Sequence, residues 1–430
     1  MTAFANARRL SLEAGRWSVL LCLFSAPINK PATNVFIALA LICALAGERL
    51  GARFQAAARQ PVVIGAVVWL LAMTVSAAYA PEGRERWQAL HIGIALLYPL
   101  IVAMLLETPQ WRTRGMLAFG AAVTLILLIS WGQFFGVVPQ REIAAIDPTY
   151  RYTVFHNYTQ QGIVFLILGA MAAAFARTEQ VQWRRLALWG IAAAVCINVI
   201  FLLQSRTSYL IVAPLLLFWA WRLAGGKHAS GRQIVIGLAI LAACAAAAMA
   251  TPRFQQRLEQ ARQDVTRYAD KREATSLGIR MELWRRTLPI IADAPLLGHG
   301  LGQWAPQFMA ETKDFPDYDG FRMHHPHQEA LLILSEQGVV GLAVFITLLV
   351  LLARQISLLA LPHRDFYVSL LLIYVTASLA NCLWADFTHR HVFIMLLACI
   401  PLAQARSRAG SQSESDNLQG VPLSTNHELQ

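Results

Sequence analysis

The sequence predicts an all-α polytopic membrane protein of about twelve transmembrane helices, with one long helical loop on a single side of the bilayer. Three observations predict it. Of the 430 residues, 57% are hydrophobic and only 14% charged, whereas a soluble globular chain is nearer half apolar and a quarter charged. The apolar residues come in long runs, most close to the roughly 20 residues that a helix needs to cross a bilayer. The runs are apolar all round, which excludes an outer-membrane barrel, whose strands alternate in polarity. The same composition excludes a soluble single-core enzyme, a disordered chain and a secreted disulfide scaffold.

In chain order the spans are expected at 17–29, 32–48, 61–80, 88–106, 115–136, 157–177, 186–204, 207–222, 233–250, 328–353, 365–383 and 387–404. The first is short and broken near Pro27, so it pairs with the second as a tight hairpin. Arg8, Arg9 and Arg16 precede it, but no small-residue cleavage site follows, and the run reads as a first helix rather than a signal peptide. Domain boundaries follow: helices one to nine within 1–250, a loop with two helices at 251–327, helices ten to twelve within 328–404, and a Ser/Gln/Asn-rich disordered tail at 405–430.

The net charge is +11. In a soluble protein that would suggest nucleic acid. Here most basic residues occupy short connections, and orientation in the membrane explains them first, with no nucleic-acid partner. Of the 36 Lys and Arg residues, 18 fall in the segments on one side, 7 in the short loops on the other and 11 in the long segment 251–327. Short cytoplasmic loops carry the excess, and long translocated loops are largely exempt. Both termini are therefore expected in the cytoplasm and 251–327 outside. The six cysteines lie inside apolar runs and read as small core residues. There is no internal repeat of the kind that many carriers show. The lopsided placement of the long loop favours an enzyme at the outer surface.

Within that loop, 253–273 has amphipathic spacing (Phe254, Leu258, Ala261, Val265, Tyr268) and predicts a helix over the bundle top or at the lipid interface. A second helix runs from Gly278 to about Ala292 and places Arg280, Trp284 and Thr287 on one face. The glycines of LGHGLGQW (297–304) lack a preceding strand and a Walker lysine. They read as a tight turn permitting close backbone approach, not a nucleotide site. After DFPDYDGF (314–321) come His324, His325 and His327, at the outward N-terminus of span ten, with Pro326 in its first turn. A helix N-terminus attracts phosphate and disfavours imidazolium, so a histidine there tends to remain neutral and able to accept a proton. A metal cluster or solvated loop histidines are the alternatives; no cysteine set or acid pair completes a zinc site nearby.

Other polar residues fall at the same outer boundary. Arg206 follows span seven as a lone arginine at membrane depth, which marks either function or a snorkelling anchor. The loop 141–158 and the residues just after it offer Tyr150, Arg151, Tyr152, His156, Asn157, Gln160 and Gln161, aromatics and amides suited to an interface belt or to sugar binding. Asp386 could orient a histidine or arginine, or cap the last helix. Two arginines suit a diphosphate, gripped in bidentate fashion and activated as a leaving group without metal.

The SRTS at 205–208, GIRMELWRRTLPIIADAPLLGHGLGQW at 278–304 and HPHQEALLILSEQGVVGL at 325–342, in this order, resemble the O-antigen ligase family, which includes O-antigen polymerases and protein O-oligosaccharyltransferases. The family pattern usually has Asn after the second histidine; Gln328 stands there. The resemblance implies a GT-C-like glycosyltransferase of the inner membrane of a Gram-negative bacterium, acting at the periplasmic face in lipopolysaccharide biosynthesis. It implies a glycan on undecaprenyl diphosphate as donor and lipid A-core as acceptor, with no cofactor. His327, with His325 as the close second, would be the catalytic base. Arg206 and Arg280 would hold the diphosphate, and Asp386, Trp284, Gln328 and Tyr152 complete the expected substrate-binding set. A polymerase, a protein glycosyltransferase and, from another class, a lipid-linked glycan transporter are the competing readings.

Overall fold

The computed structural model describes residues 2–203, 205–226, 276–312 and 324–401, with isolated positions between 230 and 266. Among these every regular element is a helix. The expected span at 233–250, the amphipathic segment 253–273, Gln204, the acidic-aromatic stretch 314–321 and the tail lie outside the described residues.

Helix α1 (Thr2–Ser25) and α2 (Lys30–Ala46) form the expected hairpin. Asn29 turns the chain: its side chain accepts from Ala32 N at 2.9 Å, with a proline in the first turn of α2. α1 starts far upstream of the apolar run that announces it. A short helix, α3 (Leu50–Ala58), occupies what the sequence reads as a loop. Then come α4 (Pro61–Tyr79), α5 (Arg84–Leu105, tightened by a 3-10 turn at Ile94–Leu97), α6 (Pro109–Phe134), α7 (Tyr158–Ala176), α8 (Gln182–Leu202) and α9 (Arg206–Leu223). After the undescribed stretch follow α10 (Ser276–Asp293), α11 (Trp304–Glu311), α12 (Glu329–Ser357), α13 (His363–Ser378) and α14 (Phe387–Ala398). Six of these, α4 to α8 and α12, are long and apolar enough to cross a membrane.

α7 is the core of the bundle, packed against α6, α8, α9 and α13. Nearly all its residues are buried, from Gln160 to Ala176. Its glycines let neighbours close in: a Cβ on Gly169 would press on Val195, and one on Gly162 would collide with Ser208 Oγ. Close approach at small residues is how helices associate where lipid supplies no hydrophobic drive.

At the opposite end from the histidines, two arginines act as pegs. Arg53, 5% exposed, donates to the carbonyls of Glu48 (2.7 Å), Ala44 (2.8 Å) and Met104 (3.4 Å). Arg112, 3% exposed, donates to Leu106 O (3.0 Å), Gln60 Oε1 (3.0 Å) and Ile400 O. The carbonyls left over at helix C-termini need donors. Charges that the sequence assigns to orientation thus also tie helix ends together.

α12 is broken at Gly338 (φ 63°, ψ −166°). The glycine-rich loop fills the break. Val339 N donates to Pro295 O (2.9 Å), His299 N to Ser335 O (2.9 Å) and Gly300 N to Glu336 O (2.9 Å). Gly298, Gly300 and Gly302 all take positive φ, and a Cβ on Gly300 would lie 2.5 Å from Ala80 Cα. The turn is therefore the close backbone approach that the sequence predicts, and it seats the α10–α11 segment against α4 and α12.

Candidate active site

The N-termini of α7, α9, α12 and α14 meet at one end of the bundle. Three contacts bring them together. Gln160 Nε2 donates to Asp386 Oδ2, and Asn381 Nδ2 donates to Thr207 Oγ1 at 3.1 Å. Trp384 N donates to Glu329 Oε2 at 3.2 Å. Arg280 on α10 lies within electrostatic reach of Arg206, the first residue of α9. Helix N-termini carry partial positive charge and unpaired N–H groups, so their convergence makes this end attractive to anions.

The SRTS motif builds the α9 corner. Ser205, fully buried, caps the helix by accepting from Ser208 N at 3.3 Å. Thr207 holds Asn381, and Ser208 packs on Gly162. Arg206, half-buried, is thereby fixed at the first turn.

α10 supplies the facing wall. Glu282, buried, pairs with Arg285 (2.7 Å) and Arg286 (2.5 Å) on its own helix. Trp304 donates to Thr287 Oγ1 at 2.9 Å and stacks on Phe308. These contacts anchor the helix face that carries Arg280. Burial depresses the Arg280 guanidinium; the Tyr158 hydroxyl acts to raise it and Arg206 to lower it further.

The histidine segment spans α10 and α12. The indole N–H of Trp284 donates to Pro326 O at 3.0 Å. His327 sits at φ 55°, left-handed for a side-chain-bearing residue. Its N–H donates to His325 Nδ1 at 3.3 Å, and the two rings meet edge to face at 4.6 Å. Gln328 caps α12, accepting from Leu331 N at 2.5 Å. Burial first, then the neighbouring His325 and Arg280, push the His327 imidazole down to about 3. His325 falls to about 4, chiefly through burial and then His324, with Asp386 acting in the opposite sense. Both imidazoles are neutral at ordinary pH.

Asp386 caps α14, accepting from His389 N at 3.0 Å, with His389 Nδ1 3.1 Å from Oδ1. Burial alone would raise its carboxyl. The His389 imidazole and the hydrogen bonds from His389 and Gln160 instead hold it well below the usual carboxylate range.

The structure thus brings His325, His327, Arg206, Arg280 and Asp386 into one neighbourhood. Trp284 lies there too, with its indole N–H engaged in holding the histidine segment, and the side-chain carbonyl of Gln328 is taken up by the cap. The ring of Tyr152 packs edge-on at 5.8 Å from Phe134, and its carbonyl accepts from Ser130 (2.9 Å) and from Gln161 (3.0 Å), the neighbour of Gln160. Sequence reasoning missed Tyr158, which faces Arg280, and Glu329, which joins α12 to the turn before Asp386. Tyr158 has no motif, and Glu329 lies inside the 325–342 stretch without standing out from it. The signal that could have found Glu329 is a carboxylate within an apolar run directly after the histidines.

The fold and this cluster define a helical membrane protein with paired arginines and neutral histidines gathered at helix N-termini. A model of the O-antigen ligase family matches residues 191–346, from α8 into α12. Across that stretch the chain is similar to the O-antigen ligase family. It is also 28% identical over 113 residues to a Rickettsia conorii protein named as a candidate polysaccharide ligase. That alignment covers 24% of this chain and 27% of the relative's length. Arg206, Arg280, His325 and His327 fall inside the family match, whereas Asp386, Gln160 and Tyr158 fall outside it.

Proposed function

We propose that the protein is a glycosyltransferase that joins a glycan carried on undecaprenyl diphosphate to a sugar hydroxyl of lipid A-core. It acts at the periplasmic face of the inner membrane, with twelve spans and both termini in the cytoplasm. Two guanidinium groups and a neutral imidazole gathered among four helix N-termini carry this reading. Arg206 and Arg280 grip the diphosphate and take up the charge that develops on it as it leaves. His327 removes the proton of the acceptor hydroxyl. The acceptor oxygen then bonds to the anomeric carbon, the bond from that carbon to the diphosphate oxygen breaks, and undecaprenyl diphosphate departs with the electron pair. One displacement inverts the anomeric centre and requires no metal.

The hydrogen bond from His327 N fixes His325 with its proton on Nε2, because Nδ1 is the acceptor. His325 is then a donor and His327 the imidazole of the pair available to take a proton. Arg280 helps to hold His327 in its weakly basic state. A diphosphate bound to Arg280 offsets that charge and strengthens the base as the donor arrives.

The test uses purified protein with lipid-linked glycan and lipid A-core. The joined product is expected on a gel without added metal, and inhibition by EDTA would contradict the metal-free route. Arg206→Ala, Arg280→Ala and His327→Ala should each lower transfer by about a hundredfold or more, at unchanged protein level in the membrane. Extension of the lipid-linked glycan itself would identify a polymerase instead.

A further inference from the structure

We propose that Lys30, Arg141 and His156 form a second anion subsite beside Asp386, and that it takes a phosphate group of the acceptor saccharide. The proposal rests on the transfer reading above and extends it to acceptor chemistry.

The subsite is assembled from three elements. Lys30 opens α2 and is exposed; its ammonium lies 5.9 Å from the Phe387 ring centroid, and it makes no ion pair among the described residues. Arg141 donates to His156 O at 2.8 Å, which holds it on the loop that leads into α7. His156 lies one residue before the α7 cap, and its Nε2 is buried with no hydrogen-bond partner. His389, 3% exposed, likewise has an unpartnered Nε2. Gln160 binds Asp386 and so ties the His156 loop to α14.

Charge at this place is unbalanced. Asp386 is the carboxylate that acts on His156, and it is already engaged by Gln160, by His389 N and by the His389 ring. Lys30 and Arg141 add two full positive charges, and the His156 imidazole adds a buried ring nitrogen without a partner. The field registers on His156, which is held below the usual imidazole range by burial first and Lys30 next, with His389 and Arg141 acting the same way against Asp386. Cations that outnumber the acid acting on His156, beside a ring nitrogen without a partner, fit a ligand that brings oxygen anions.

The subsite differs from the arginine pair. His325 and His156 both interact with Asp386 but not with each other, so Asp386 is shared between two clusters. Donor diphosphate is drawn to Arg206 and Arg280, and the second cluster addresses the other substrate. The nearby loop also carries Tyr150 and Phe155, whose rings suit a saccharide. Lys30, Arg141 and His156 all lie outside the stretch shared with the family, which suits a determinant of this protein's own acceptor.

The experiment measures KM for lipid A-core before and after phosphatase treatment, in phosphatidylcholine and in phosphatidylglycerol nanodiscs. In the wild type, phosphatase treatment should raise KM about tenfold, the size expected for losing a charge-assisted contact. Lys30→Gln should bring the ratio of the two KM values towards one, as should Arg141→Gln. Lys30 is the cleaner site because its recorded contact is a ring face. Equal wild-type KM values, a full ratio retained in Lys30→Gln, or an effect that follows nanodisc charge would each overturn the subsite. Should the wild type transfer nothing, the functional reading fails separately. Thermophoresis of the labelled protein then tests the subsite directly: a preference for the phosphorylated glycolipid that Lys30→Gln abolishes supports it, and equal binding overturns it.

Discussion

His327 combines a left-handed backbone, a buried ring and a hydrogen bond that sets its neighbour's tautomer. Strain of this kind persists where the surroundings over-determine a position. Here they are the α12 cap at Gln328 and the Trp284 bond to Pro326. The pH dependence follows from the depressed imidazoles. A base must be unprotonated, and His327 protonates near about 3 rather than at its ordinary 6.5. The transfer rate of the free enzyme should therefore hold as pH falls from 8 to about 5, in kcat/KM profiles. A loss centred at 6.5 would show that another histidine, or none, limits the reaction. Stability runs in the same sense. Between 6.5 and the depressed values the unfolded chain binds more protons, so the fold is fully favoured above 6.5 and loses stability as pH drops through that window. Thermal melts at pH 7 and pH 4.5 check this sign.

The broken helix α12 is the element on which the site depends. Its upper piece carries Gln328, Glu329 and the carbonyls that meet the glycine loop, and its lower piece is apolar. A Cβ at Gly338 would collide with the backbone of Leu296 and Leu297, at a φ that side chains avoid. Gly338→Ala should cost about 3 kcal/mol or more and appear as lost monodisperse protein in detergent. Gly190, on an exposed face of α8 with open space around it, is the control: Gly190→Ala should be neutral or stabilising by up to about 1 kcal/mol. If both variants behave alike, the loop does not hold the break. The glycines were legible as turn formers; that they seal a membrane helix was not, because the partner carbonyls lie far away in sequence.

At the scale of the molecule, the arginines divide between the two ends. Arg53, Arg112, Arg177 and Arg222 gather at the end away from the histidines, where Arg222 pairs with buried Asp365 at 2.9 Å and Arg177 contacts the same carboxylate. That asymmetry and the charge count predict a cytoplasmic C-terminus. A C-terminal GFP fusion should therefore fluoresce, and one that stays dark while a phosphatase fusion is active would invert the topology and place the site in the cytoplasm.

Hydrophobic run length alone determined that the chain is a helical membrane bundle and where most helices lie, because a bilayer demands self-satisfied backbone over a fixed thickness. Short motifs marked Arg206, Arg280 and the histidine pair, since their residue types are costly at a membrane boundary. Tertiary structure decided the rest. It turned Trp284 and Gln328 into supports, added Tyr158 and Glu329, and set Asp386 between His325 and His156. Which helix N-termini meet is fixed by how α7 packs among its neighbours, and no local sequence pattern encodes a contact between residues more than 200 positions apart, such as Gln160 with Asp386.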